Sequence, residues 1–156
     1  GVVEGRPALD ALSVVLVAFG TLELLNVLTL YLAPGSRRGN ALGVFLAYER
    51  SKEDPQVHAL VKYLIDWVAG TKLIFIVLLI GIILTGSPTT KVFTVIALIF
   101  SILTFYARLY PAITKMDQEG QIVPRGYSKT LAVMIAAFVV VFGVAVVVNL
   151  ANYAAP

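Results

Sequence analysis

The residues best equipped for chemistry in this sequence are ionisable side chains set inside or beside long apolar runs. VKYLIDWVAGTKLIF, residues 61 to 75, carries Lys62, Asp66 and Lys72. LVAFGTLELLNVLTLYL, residues 16 to 32, holds Glu23 with Asn26 one helical turn away, and FYARLYPAITK, residues 105 to 115, holds Arg108. An unpaired acid or base at bilayer depth costs at least about 2.5 kcal/mol. Each therefore needs an opposite charge, a hydrated cavity or a shifted protonation equilibrium. Glu23, Asn26, Asp66, Lys72 and Arg108 form the candidate intramembrane polar cluster, suited either to fixing helix order or to passing protons or ions.

A second set lies at one membrane edge. Arg108 and Lys115 accompany aromatic residues, and Arg125, Tyr127 and Lys129 return to the same level after a polar loop. Arg108, Lys115, Arg125 and Lys129 form a candidate rim for a phosphate or an anionic lipid headgroup; plain interfacial anchoring by basic residues is the competing reading. Other chemistry is missing from the sequence. It has no cysteine and a single histidine, His58, so thiolate sites and a bis-histidine haem within one chain are excluded. No phosphate-binding glycine loop, dinucleotide fingerprint or HExxH motif occurs. No catalytic residue, metal site or cofactor is assigned, and the basic residues border apolar runs instead of forming the continuous stripe of a nucleic-acid binder.

The elements that must position these groups follow from composition. Of the 156 residues, 59% are hydrophobic and 13% charged, whereas an average soluble domain has about 45–50% and about 25%. Four stretches, 9–33, 58–85, 91–114 and 129–153, are long enough to cross a bilayer as helices, which takes about 20 apolar residues. The run FVVVFGVAVVV, 138 to 148, is rich in strand-forming valine, but a lone strand in lipid leaves its backbone unpaired, so helix is expected. Continuous apolar runs also exclude a membrane barrel, whose strands alternate. The expectation is one all-α domain, residues 1–156, folded as an antiparallel bundle of four transmembrane helices.

The connections set topology and orientation. Residues 34–56 contain NALGVFLAYERSKED, read as a short amphipathic interfacial helix capped by Asn40, with Leu42, Phe45 and Leu46 on one face; a folded loop packed on the bundle is the competing reading. GSPTT, 86–90, is a tight turn that makes the second and third spans adjacent and antiparallel. Residues 115–128 form a polar loop with Gly120, Pro124 and Gly126 as breakers and Ser128 as a cap for the last helix. The first and third connections carry Arg37, Arg38, Arg50, Lys52, Lys115, Arg125 and Lys129; the opposite side offers only Arg6 and Lys91. By the positive-inside rule both long connections face the cytoplasm of a cell membrane and both termini the outside.

Depth then pairs the charges. With an inner boundary near Leu32, Glu23 stands about 13 Å into the membrane and Lys72 about 9 Å, at about 1.5 Å per residue. They are expected to form an interhelical ion pair with Asn26 beside it. Asp66 and Arg108 are expected to meet near the cytoplasmic edge, with Lys62 competing for Asp66 from the preceding turn. Ala132, Ala136, Gly70 and Gly81 offer close helix contact, and Trp67 with the tyrosines forms an interfacial belt. Together these features suggest an accessory or assembly subunit that contacts lipids and packs with other membrane subunits or copies of itself. Two alternatives are a small proton or ion transporter or channel, and a lipid-acting enzyme using the basic rim.

Overall fold

The computed structural model describes residues 10–154. Arg6, one of the basic residues in the orientation count, lies outside the described residues. Four long helices form the bundle: α1 (Ala11–Leu32), α3 (Pro55–Thr85), α4 (Pro88–Gln118) and α5 (Tyr127–Ala154). All four are long and apolar enough to cross a membrane. The short helix between the first two spans is present in two pieces, a 3-10 turn at Leu42–Val44 and α2 at Leu46–Ser51. Among the described residues the only β pairing is an isolated bridge between Phe45 and Ile122.

The helix starts show why these segments end where they do. Asp10 caps α1 by accepting from the Ser13 N–H at 2.7 Å. Asp54 caps α3, with Pro55 in the first turn where its missing N–H costs nothing, and Ser87 with Pro88 repeats the arrangement at α4. At about 1.5 Å per residue α1 just spans a hydrocarbon core of about 30 Å, while α3 and α4 overrun it by roughly half. Helix α4 also runs through Pro111 to Gln118, a few residues beyond the expected end of the third span. The carbonyl one turn before Pro111 loses its N–H partner there, near the membrane edge where water can replace it.

Packing divides the bundle into two zones. Toward the Gly86–Ser87 turn, all four helices share one core of Leu12, Leu16, Phe19, Leu79, Val95, Leu98, Phe142 and Ala145. Phe19 sits edge-on to Phe75, Phe138 and Phe142 with ring centroids 6.0, 5.8 and 5.3 Å away. Gly20 lets α1 approach α3 here, since an added Cβ would lie 3.3 Å from Leu79. Gly81, expected to serve that role, has no neighbour within 4 Å of such a Cβ.

Toward the face that carries the two long connections, the core splits. Val27 and Leu30 of α1 pack with Ile65, Ala69 and Ile76 of α3. Phe105 and Ile113 of α4 pack with Leu131 of α5. The 33–54 connection is wedged between these halves: Ala41 and Tyr48 belong to the first sub-core, and Val44 belongs to the second beside Ile122. Helices α3 and α4, though joined by a tight turn, consequently pack on each other very little.

Candidate functional site

Glu23 and Lys72 meet as the depth argument expects, with Lys72 Nζ 2.8 Å from Glu23 Oε2. Lys72 Nζ also donates to Asn26 Oδ1 at 2.6 Å. Asn26 is buried, and its amide group donates onward to the Gly39 and Asn40 carbonyls at 2.5 and 3.2 Å. Those carbonyls point inward because Gly39 and Asn40 hold φ of +69° and +54°, a left-handed pair that glycine and asparagine adopt with least strain. Asn40 is therefore a turn residue here and not the helix cap expected from sequence. The result is a connected polar knot joining α1, α3 and the first connection.

Glu23 has a second aspect. It also lines a groove of about 500 Å³ between α1, α4 and α5, otherwise mostly apolar and bordered by Phe19, Phe105, Met134 and Phe138. The groove lies where the single core gives way to the two sub-cores. Toward the turn side of the knot, the next titratable groups among the described residues are Lys91 and Asp10. Lys91 Nζ donates to Ser13 Oγ at 2.8 Å and lies 3.7 Å from Asp10 Oδ2. Along α1 that gap is about 20 Å, and the phenylalanine cluster and aliphatic core fill it. Partial burial pushes the Asp10 carboxyl up, but hydrogen bonds from Ser13 and the Lys91 ammonium outweigh it, holding the group below its ordinary value.

Asp66 and Arg108 are not brought together. Both are exposed, and neither makes an ion pair among the described residues. Lys62 is exposed too and makes no pair with Asp66. The physical reason is the wedge: the first connection holds the α3 half and the α4/α5 half apart at the level where the two charges would have met. The expected proximity of the second and third spans holds at their shared turn and fails at the opposite face.

The basic rim is dispersed in a similar way. Lys115 reaches Glu119 at 3.9 Å on its own helix, while Arg125 and Lys129 line a surface pocket with Asp117. Asp117 escaped the sequence reading and has the most satisfied side chain in this region. Its Oδ1 accepts from Gly126 N–H at 2.9 Å, and its Oδ2 accepts from Ser128 N–H and Oγ at 3.0 and 2.7 Å. An acid at the end of α4 thus caps the start of α5, the task expected of Ser128, and a carboxylate already takes the N–H groups an incoming anion would seek. The available signal was an acid followed by a glycine-bounded loop, with Gly120 and Gly126 at φ of +73° and +83° closing it.

His58 accepts from or donates to Ser51 Oγ at 3.0 Å and tilts against the Tyr48 ring, tying α3 to α2. Tyr106 donates to the Ala132 carbonyl at 2.5 Å, joining α4 to α5. Compared with known proteins, the chain matches no family model, no curated protein and no solved structure. The geometry describes a polytopic membrane protein with a partly buried intramembrane ion pair.

Proposed function

We propose that this chain is an assembly subunit of the membrane, a bundle whose internal charges hold its own helices in order while its outer faces pack against other membrane subunits or further copies. One observation carries the reading: Lys72, Glu23, Asn26 and the two connection carbonyls form one connected knot. A conducting route would string such groups along the membrane normal. Here an apolar core follows the knot, and Asp66 and Arg108 stand outside on separate helices. Further support comes from α3, which is bound to the bundle chiefly through α1. It leaves Trp67, Ile74, Val77 and Leu78 exposed along its flank, a surface open to lipid or to another helix.

Arg37, Arg38, Arg50, Lys52, Lys115, Arg125 and Lys129 collect on the connection face, which the positive-inside rule assigns to the cytoplasm. Gentle extraction from the native membrane, followed by identification of what co-purifies, tests the proposal. A reproducible complex or homo-oligomer is expected, and a lone monomer would overturn it. Proton or ion flux in proteoliposomes that disappears with Glu23→Gln would instead support a transporter.

A further inference from the structure

The unpaired charges Asp66 and Arg108 occupy the same level of the membrane, and their helix registers show it. Lys72 meets Glu23, and Asp66 lies six residues before Lys72 on α3, which brings it level with Thr29, six residues after Glu23 on antiparallel α1. Lys91 meets Ser13, and Arg108 lies seventeen residues after Lys91 on α4, which brings it level with Leu30, seventeen residues after Ser13 on parallel α1. The two registers come from independent contacts and place Asp66 and Arg108 at similar depth.

Neither residue has an ion-pair partner among the described residues. Both are exposed, one on the α3 flank and one on the α4 flank, and the wedged connection prevents them from meeting. Copies of one membrane protein share an orientation, so a charge can pair between copies only with an opposite charge at its own depth. Asp66 and Arg108 meet that condition.

We infer that the occupant of the α3 flank is a second copy of this chain, with Asp66 of one copy paired to Arg108 of the next across an antiparallel α3–α4 contact. The interface is heterologous, so it closes into a ring or extends in the membrane plane, as head-to-tail contacts do. The inference rests on the assembly-subunit reading and specifies its homo-oligomeric form.

The chain has no cysteine, so Thr89→Cys, on an exposed residue at the turn face, provides one labelling site. Donor- and acceptor-labelled full-length copies are reconstituted in phosphatidylcholine vesicles, and energy transfer is followed as lipid is added. Unlabelled protein should dilute the signal far more effectively than lipid does. Asp66→Arg alone and Arg108→Asp alone should each weaken self-association about tenfold or more, the size of a change of about 1.4 kcal/mol. An equimolar mixture of the two variants should recover it, since each contact between unlike variants has an acid facing a base. The double variant Asp66→Arg/Arg108→Asp should also recover it. Mixing cannot rescue a variant that has merely failed to fold.

Single variants that associate like the parent, or that fail and stay separate when mixed, would overturn this interface. If the parent associates but is indifferent to both swaps, the interface falls and the assembly reading stands. A parent that remains monomeric at every protein-to-lipid ratio ends the self-association proposal; a lone species from the native membrane as well ends the assembly reading.

Discussion

Glu23 in the α1/α3 half and Asp117 in the α4/α5 half are carboxylates satisfied by different chemistry. In the α1/α3 half, Glu23 has a full counter-charge on the neighbouring helix, shared with the Asn26 amide. In the α4/α5 half, Asp117 accepts two backbone N–H groups and one hydroxyl from the start of α5. Depth accounts for the difference. Deep in a span all backbone N–H groups are used within the helices, so only another side chain can satisfy an acid. At a helix start the N–H groups are free, and a carboxylate there completes a cap and complements the positive end of the helix.

Breaking the deep arrangement should have the largest effect. Glu23→Leu leaves Lys72 without its counter-charge and is expected to lower stability by about 3 kcal/mol in a detergent-unfolding titration, while Glu23→Leu/Lys72→Leu recovers most of the loss because an apolar pair replaces the ionic one. Recovery failing in the double variant would mean that the charges have a role beyond mutual compensation. Asn26→Leu removes the link to the connection and should cost about 2 kcal/mol, since the Gly39 and Asn40 carbonyls lose their partner. Limited proteolysis within residues 34–54 should accelerate alongside it.

The shallow arrangement should respond less. Asp117→Ala removes a cap and is expected to cost about 1 kcal/mol, with hydrogen exchange rising at the first turn of α5 and unchanged in α1. A loss as large as that of Glu23→Leu would erase the distinction between the two halves. The smallest effect belongs to Asp10, whose carboxyl is held below its ordinary value of 3.8. Its contribution is fully present above that value and lost as pH falls through the lower folded value. Asp10→Asn should therefore lower the unfolding midpoint slightly at pH 7, and the difference from the parent should close below 3.8. A difference that persists at pH 2 would show that the effect does not come from the charge of the Asp10 carboxylate.

Much of this was legible before any coordinates. Helix length, apolar content and rise per residue are local properties, and they were sufficient to place four spans and to match Glu23 with Lys72. The same depth argument matched Asp66 with Arg108 and failed there. Equal depth is necessary for a pair, but the intervening chain decides which flanks face one another. Nothing local in NALGVFLAYERSKED says that Val44 and Tyr48 will enter separate sub-cores and hold two helices apart. The Asp117 cap was hidden for a related reason, because it depends on how the 119–126 loop brings Gly126 and Ser128 back to the end of α4.

The amino-acid sequence alone determined that the chain crosses a membrane as four helices and carries its charges at defined levels, since apolar run length and helical rise need no partner to take effect. Only the tertiary structure decided which charges meet. That depends on how helices are rotated and spaced around the bundle, and here the wedged connection sets the spacing, leaving one pair joined inside and the other apart.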